Sequence, residues 1–327
     1  SVNIVILNEV EFRLAKPSDK TAIADLLALS TSHFRPIRYW EWANTEVFFP
    51  GSFVVIATYF DRIVGHYAIS VRDYNTFGVK IKVGVATQTV IHPLFRKLQI
   101  LLDISNFVKD ICLTKKLHLI IGFPNSNLYK INKKLLKWKH VSDVVQLEVD
   151  LNQLPTFNSK SNNKVHRAHE FSNEFNSLIE FNNNNNNTIA ELLSVPNLNW
   201  RYFKHPLNHY IVFSSMLNNS INGYVVLKIY HSFTGITGHI LDLLTYNNSE
   251  VVDSLFGAAI EYFKWANCKN ISMWVGENNY QHAYIRNMGF KENSIKSHLQ
   301  VLPLKKVYNE LLDIECWNLL MGMSDAY

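Results

Sequence analysis

Two aspartates have sequence surroundings that suit acid–base chemistry. Asp242 interrupts an otherwise apolar stretch, Ile240–Leu244, in which a carboxylate would lose its contact with water. Because desolvation raises the pKa of a carboxyl group, Asp242 is a candidate general base. The alternative is a strand-end carboxylate that the backbone or an arginine satisfies. Asp325, near the C-terminal end of the sequence, is a second candidate that could reach a cleft between domains.

Aromatic residues form two clusters that would suit the ring of a sugar or a nucleotide. Each cluster precedes an apolar run, and their candidate substrate-binding residues are Trp40, Trp42, Trp200, Arg201 and Tyr202. The alternative is that these residues anchor domain packing, and the presence of a cluster in both halves of the chain favours that alternative. Three histidines, His66, His92 and His239, are predicted to be structural.

Positive charge is concentrated in one segment. The 327-residue chain has a formal net charge of +5, which is too small to indicate a nucleic-acid partner. Residues 96–139, however, contain ten Lys or Arg and only two Asp. This imbalance favours a local anionic ligand, and the alternative is a solvated basic helix face.

The chain contains an internal repeat, which determines the predicted architecture. Each copy has two apolar runs joined by a polar turn, then a strand, a helix, a strand, a second helix and a final strand. Strands are predicted at 53–59, 65–71, 82–90, 117–123 and 144–151, and again at 210–213, 223–229, 238–244, 271–275 and 297–304. Helices between them are predicted over 100–111 and 252–263. The alternation of strands and helices indicates a mixed sheet flanked by helices.

Helical segments precede both copies, at 19–29 and 173–193. The second is interrupted by six asparagines at 182–187, which we interpret as a mobile loop without chemistry. The length suits two domains of about 150 residues. We predict a first domain at 1–155, a linker at 156–163 that is rich in Asn, Ser and Lys, and a second domain at 164–327.

The order of these elements and several short motifs resemble the GCN5-related N-acetyltransferases. In the first copy the resemblance rests on His92-Pro93 and Arg96 before a helix, on Gly122-Phe-Pro-Asn125, and on Lys137-Trp138. In the second copy it rests on Asn278, Tyr280, Tyr284 and Met288-Gly289-Phe290. The resemblance covers about residues 10–305 and implies an α/β (α+β) fold with a mixed sheet, as two tandem acyl-CoA N-acyltransferase folds. At Tyr129 and Trp317 this chain resembles a double-domain subgroup of the family. Members of that subgroup are often encoded beside genes for surface polysaccharide or modified sugars.

The resemblance also implies where a cofactor would bind. In this family the N-terminus of the helix after the central strand holds the CoA pyrophosphate through backbone amides. The implied cofactor-binding residues are Val90, Ile91, Arg96, Lys97, Leu98, Gln99, Ile100 and Leu101. The family pattern Gln/Arg-x-x-Gly-x-Gly/Ala is broken here, because Gln99 and Leu101 replace both small residues. The second copy lacks the pattern altogether, so an anionic cofactor is expected to prefer the first.

Catalytic roles follow from the same resemblance. Backbone near Val90 and Ile91 would polarise the thioester carbonyl, and Tyr129 would protonate the leaving sulfur. Asn125 would hydrogen-bond the pantetheine arm, and the alternative for Asn125 is a plain helix cap.

The resulting prediction is a cytoplasmic N-acyltransferase that uses acetyl-CoA or another acyl-CoA. The acceptor would be an amine of a small molecule, with an amino sugar or a sugar nucleotide as the first guess. The alternatives are a degenerate tandem protein that binds a ligand or partner without catalysis, and an aminoacyl-tRNA-dependent peptidyl transferase. Because the three cysteines lack metal-ligand spacing and no apolar run is long enough, we expect no metal and no membrane insertion. We also expect no nucleic-acid partner and a monomer or homodimer.

Overall fold

The computed structural model describes residues 9–31, 36–44, 47–154, 162–185, 187–275, 281–305, 309–319 and 321–324. The strands are β1 (Val10–Leu14), β2 (Phe53–Tyr59), β3 (Arg62–Thr76), β4 (Val79–Ile91), β5 (Leu119–Gly122), β6 (Lys139–Asp150), β7 (Lys164–Ala168), β8 (Ile189–Glu191), β9 (Ile211–Leu217), β10 (Ser220–Ser232), β11 (Gly235–Thr245), β12 (Asn270–Met273) and β13 (Lys291–Pro303). The helices are α1 (Lys20–Ser30), α2 (Ile37–Ala43), α3 (Leu98–Thr114), α4 (Ser126–Lys134), α5 (Asn176–Asn183), α6 (Val195–Tyr202), α7 (Ser249–Trp265) and α8 (Gln281–Asn287). No helix in these ranges is long and apolar enough to span a membrane.

The chain divides into two compact units. Unit 1 comprises residues 1–74, 80–141 and 298–312. Its strands follow the order β1-β2-β3-β4-β5-β13, in which β4 and β5 are parallel and β13 is antiparallel to β5. Helix α3 presents Ile104, Val108 and Cys112 to the sheet, because these residues recur at helical spacing on one face. This packing fixes the N-terminal end of α3 beside the end of β4.

Unit 2 comprises residues 75–79, 142–297 and 313–327. Its strands follow the order β6-β12-β11-β10-β9-β7, in which β11 and β12 are parallel and the other neighbouring strands are antiparallel. Helix α7 buries Leu255, Phe256 and Phe263 against this sheet. The ring of Phe263 lies over Gly238, where a Cβ would come within 2.4 Å of the ring. Glycine at this position therefore permits the close approach of helix and strand.

The final strand of each copy pairs in the other unit. The end of β6 belongs to the first copy in sequence, yet Leu147–Asp150 pairs with β12 in unit 2. The end of β13 belongs to the second copy, yet Gln300–Pro303 pairs with β5 in unit 1. The expectation that each copy is closed by its own final strand is therefore wrong. Most of the predicted linker at 156–163, namely residues 156–161, lies outside the described residues.

The predicted order of strands and helices is confirmed in both copies, with two differences. Strands β1 and β7 were not predicted; β1 pairs with β2, and β7 pairs with β9. The helix predicted over 173–193 is wrong in its second half, because α5 ends at Asn183 and residues 189–191 form β8. Two hydrogen bonds of the Asn183 side chain explain why α5 ends there. Its side-chain N–H donates to the carbonyl of Leu193, and its side-chain oxygen accepts from the Leu193 N–H.

Candidate functional site

The free end of β4 forms one candidate site in unit 1. Strands β4 and β5 are paired over Val83–Val85, and β5 ends at Gly122. Side chains of β4 from Ala86 to Ile91 are half-buried, in contrast to the buried Val83–Val85 before them. Gln88 has a φ of 49°, a left-handed conformation that interrupts regular strand geometry. The last residues of β4, including Val90 and Ile91, therefore lie at an accessible part of the strand.

The N-terminus of α3 follows directly and has no side-chain cap among the described residues. Its N-cap, Lys97, is extended and exposed, and no acidic residue occupies the first turn. The amides of the first helical residues have no partner within a helix, and the helix dipole gives this end a partial positive charge. Leu98 and Gln99 are exposed and Ile100 is buried, while the Leu101 amide donates to the Lys97 carbonyl. This helix end has the features of an anion site.

The equivalent helix in unit 2 is closed to an anion. Asn248 caps α7, and its side chain accepts from the amides of Glu250 and Val251. Glu250 adds a negative charge in the first turn. Both features satisfy the positive end of the helix with the chain's own groups. The contrast between α3 and α7 supports the prediction that an anionic cofactor prefers the first copy.

The side chain of Arg96 makes structural contacts near the start of α3. Its Nε donates to the carbonyl of Ile91 at 3.2 Å, and a terminal nitrogen donates to the carbonyl of Ser30 at 3.0 Å. Arg96 therefore ties the end of α1 to the end of β4, and its predicted contact with phosphate stays a prediction. Arg96 and Lys97 are both exposed at this helix end.

Asn125 and Tyr129 lie on the first turns of α4. The Asn125 side chain accepts from the Leu128 amide at 3.0 Å, so it is a helix cap, the alternative considered for it. Tyr129 is half-buried, and its ring lies 4.5 Å from the ring of His298 and 5.4 Å from that of His140. The sequence indicated neither histidine, because both reach Tyr129 through tertiary contacts. Their imidazoles give Tyr129 a polar aromatic environment within unit 1.

A series of buried hydrogen bonds ends at a backbone carbonyl of β4. Trp40 donates its indole N–H to His66 Nε2 at 2.9 Å, and His66 Nδ1 lies 2.7 Å from the carbonyl oxygen of Gln88. His66 is fully buried, and desolvation lowers its pKa to about 4. The prediction that His66 is a satisfied core histidine is confirmed, as it is for His239, which hydrogen-bonds Ser272. Trp40 is thus anchored here rather than displayed in a cleft.

The other predicted aromatic residues also have packing contacts. The ring of Trp42 lies 5.6 Å from that of Tyr39. Trp200 and Tyr202 are buried on α6. Neither lines the cavity described below, whereas their neighbour Arg201 does. His92 accepts from the Leu94 amide and caps a short turn, which confirms the structural role predicted for it.

Unit 2 also contains buried hydrogen bonds, which end at a carboxylate. Asp242 lies on β11, and Tyr224 lies on the neighbouring strand β10. The hydroxyls of Tyr202 and Tyr224 both donate to Asp242 Oδ2, at 3.1 and 3.2 Å. The other oxygen, Oδ1, is buried and makes no hydrogen bond of acceptable geometry to the described residues.

The environment of Asp242 disfavours its charged form. Burial raises its pKa to about 6, although Arg201, the two tyrosine hydroxyls and the Leu243 amide all lower it. Burial and the charge of Asp242 also raise the pKa of Tyr202 and of Tyr224 well above the usual value, so both remain neutral donors. Asp242 therefore titrates nearer to neutrality than an exposed aspartate, as a proton-accepting group must.

Arg201 and Glu191 form a buried ion pair beside Asp242. A terminal nitrogen of Arg201 lies 3.0 and 2.9 Å from the two carboxylate oxygens of Glu191. Burial acts to lower the pKa of Arg201, but Glu191, Tyr202 and Asp242 raise it by more, so the guanidinium stays charged. The sequence singled out Arg201 within its aromatic cluster but gave no sign of Glu191, which lies ten residues earlier.

These charged groups lie at the bottom of a cavity of about 980 Å³ within unit 2. Its buried lining includes Glu191, Arg201, Asp242 and Thr245. Its remaining polar lining is mostly asparagine, from Asn182, Asn184, Asn185, Asn187, Asn247 and Asn318. Four residues of the run that we interpreted as a mobile loop without chemistry, Asn182, Asn184, Asn185 and Asn187, thus form one wall of the cavity, while the absence of a chemical role stays a prediction.

Three residues that the sequence singled out lie outside the described residues. They are Asp325, which is the second candidate base, Asn278 and Tyr280. Within the described part of the chain, no cluster of three or more His, Cys, Asp or Glu residues could hold a metal ion.

Comparison with solved structures identifies the fold as that of the GCN5-related N-acetyltransferases. A probable N-acyltransferase from Enterococcus faecalis superimposes with a TM-score of 0.72 at 9% identity, over 90% of this chain and 72% of that one. A GCN5-related N-acetyltransferase from Anabaena variabilis gives 0.70 at 8% identity, over 90% and 73%. A tandem GNAT protein from the clavulanic acid biosynthesis pathway gives 0.57 at 10% identity, over 92% and 100%.

No family model and no curated protein sequence matches the chain. At these identities the likeness establishes the fold alone. It confirms the predicted α/β class and the predicted tandem arrangement of two copies of this fold.

Proposed function

We propose that the protein is an acyl-CoA-dependent N-acyltransferase, which transfers the acyl group of acetyl-CoA or another short acyl-CoA to an amine of a small molecule. The observation that carries the proposal is the uncapped N-terminus of α3, placed directly after the free end of β4. In the same fold, α7 is capped by Asn248 and is not available to an anion. The excess of basic residues in 96–139 also favours an anion-binding site in the first copy.

The residues of unit 1 would hold the cofactor in two places. The amides of Leu98, Gln99 and Ile100, with the Lys97 side chain, would bind phosphate oxygens. The exposed Gln99 side chain leaves its own amide accessible, so the missing glycine does not exclude this use. The backbone of Val90 and Ile91 would donate to the carbonyl oxygen as negative charge develops there.

Acyl-CoA supplies an activated thioester, and the chain's own groups would handle the protons. Tyr129, on the helix that Asn125 caps, is the proposed donor of a proton to the leaving sulfur. Asp242, the candidate base that the sequence singles out, lies in unit 2, and its pKa of about 6 suits a group that exchanges a proton. Its role as general base and that of Asp325 stay predictions. An amino sugar is the first acceptor to test, and a sugar nucleotide is the second.

The binding half of this proposal is tested by calorimetric titration of acetyl-CoA into the purified protein. We expect one saturable site per chain, with binding weakened by about tenfold in Lys97→Glu, because the substitution places a negative charge at the phosphate position. Lys97 is a better target than Arg96, since Arg96 holds α1 and β4 together. The matched control is Lys291→Glu, the same change at an exposed residue of unit 2. Absence of binding, or an equal loss in both variants, would contradict the proposal.

A further inference from the structure

The cavity of unit 2 contains a buried carboxylate whose hydrogen-bonding capacity is only half used. Asp242 is 2% exposed and lines the cavity. Tyr202 and Tyr224 both donate to Oδ2, and Oδ1 makes no hydrogen bond of acceptable geometry to the described residues, although the Leu243 amide acts on the carboxyl strongly enough to lower its pKa. A buried, unsatisfied carboxylate oxygen is costly, and such groups in native proteins are explained by a function or by a bound partner.

The charges around the cavity favour a cation as that partner. Three of the lining residues are acidic, Glu191, Asp242 and Glu315, and one is basic, Arg201. Glu191 holds Arg201 with both carboxylate oxygens, which directs the positive charge toward Glu191. The capped, acidic first turn of α7 adds no anion site to this unit. A phosphorylated ligand would therefore be repelled, whereas an ammonium group would be attracted.

The asparagine wall indicates what the rest of the ligand is. Asn184, Asn185, Asn187 and Asn247 are exposed at the cavity surface. Each amide offers both donors and acceptors, a combination that matches hydroxyl groups. The wall is held in place, because the carbonyl oxygens of Asn183 and Asn185 accept hydrogen bonds from the Asn75 side chain. A polar, hydroxyl-bearing molecule fits this lining better than an apolar one.

We propose that this cavity is a binding site for a small molecule with one ammonium group and several hydroxyl groups, in which Asp242 Oδ1 accepts a hydrogen bond from the ammonium. The asparagines of the wall bind the hydroxyl groups. The volume of about 980 Å³ leaves room for a ligand larger than one sugar ring. This inference rests on the proposed function, since it names the class of acceptor that Asp242 would bind; the binding measurements below contain no acyl-CoA, so a failure to bind this ligand is distinguishable from a failure of acyl transfer.

The first test is titration of glucosamine, with glucose as a probe of the same shape that lacks the ammonium group. We expect glucosamine to bind roughly tenfold or more tightly than glucose, because a charge-assisted hydrogen bond at a buried carboxylate is strong. Asp242→Asn should remove this preference, since it keeps the shape of the side chain and removes its charge. Asp110→Asn, the same change at an exposed residue of unit 1, should retain it. A lack of saturable glucosamine binding, or a preference that survives in Asp242→Asn, would overturn the proposal.

The location is tested independently on the unmodified protein by hydrogen–deuterium exchange. Glucosamine should slow amide exchange in the segments 181–193 and 240–247, which contain most of the residues that line the cavity. Glucose at the same concentration should leave both segments unchanged. Protection confined to other parts of the chain, or none at a saturating concentration, would refute the placement of the site even if glucosamine binds.

Discussion

Asp242→Asn is expected to raise the free energy of unfolding by about 2–3 kcal/mol at about pH 7.5, and to leave it nearly unchanged at about pH 4. A substitution that stabilises a protein at a buried polar position is uncommon, since most such changes destabilise. Here the native carboxylate is ionised at neutral pH although it is buried, and the neutral amide avoids that cost. The side-chain carbonyl of the introduced asparagine can still accept hydrogen bonds from both tyrosines.

The sign of this change in the free energy of unfolding follows from proton linkage. Burial raises the pKa of Asp242 to about 6 in the folded protein, above its ordinary value of 3.8. Between these two values the folded state binds more protons than the unfolded state, so its stability falls as the pH rises. The loss is complete once the pH exceeds the folded-state pKa. Below the unfolded-state value both states are protonated, and aspartate and asparagine then behave alike.

Chemical unfolding across this pH range, followed by tryptophan fluorescence, measures the effect. Asp110→Asn is the control, because the same change at an exposed position should alter stability by less than about 0.5 kcal/mol at every pH. If Asp242→Asn destabilises the protein at neutral pH, or if its effect is independent of pH, then Asp242 is not held as an ionised carboxylate at a cost to stability.

Glu191→Gln is expected to lower the free energy of unfolding by about 3 kcal/mol, because it leaves the buried guanidinium of Arg201 without its charged partner. The two side chains are only 4% and 10% exposed. The glutamine oxygen can still accept one hydrogen bond, which keeps the loss below the upper end of the range for buried pairs. Asp242 remains as a counter-charge to Arg201.

The matched control is Glu41→Gln, which breaks the ion pair between Lys20 and Glu41. Both partners of that pair are 48% exposed, so its loss should cost less than about 1 kcal/mol. Denaturant midpoints of the two variants and the parent protein give the comparison directly. Similar small losses in both variants would show that the Glu191–Arg201 pair does not stabilise unit 2.

The repeat and its elements could be predicted because hydrophobic periodicity is local. The amphipathic helices α3 and α7 and the strands before them follow directly from residue spacing. The partners of the final strands could not be predicted in this way. Pairing of β6 with β12 and of β13 with β5 joins residues that are far apart in the chain, and the strand pattern is the same whichever sheet receives it.

The same distinction between local sequence and tertiary contacts applies to the residues of the candidate sites. Asp242 stood out because a carboxylate within an apolar strand conflicts with local expectation, and such conflicts mark functional positions. The contacts of Arg96 with the carbonyls of Ile91 and Ser30 could not be predicted, because these partners come from chain segments that only the fold brings together. The asparagine run has a polar, turn-forming composition, and nothing in that composition reveals that it forms a cavity wall.

The most direct test of the central claim is mass spectrometry of glucosamine incubated with acetyl-CoA and the protein, with parallel measurement of released thiol. The account predicts acetylated glucosamine and free CoA in equal amounts. It also predicts that Tyr129→Phe slows turnover by roughly a hundredfold, because the leaving sulfur loses its proton donor, while acetyl-CoA still binds. If acetyl-CoA stays intact with glucosamine and with every other small amine tested, the acyltransferase proposal is contradicted.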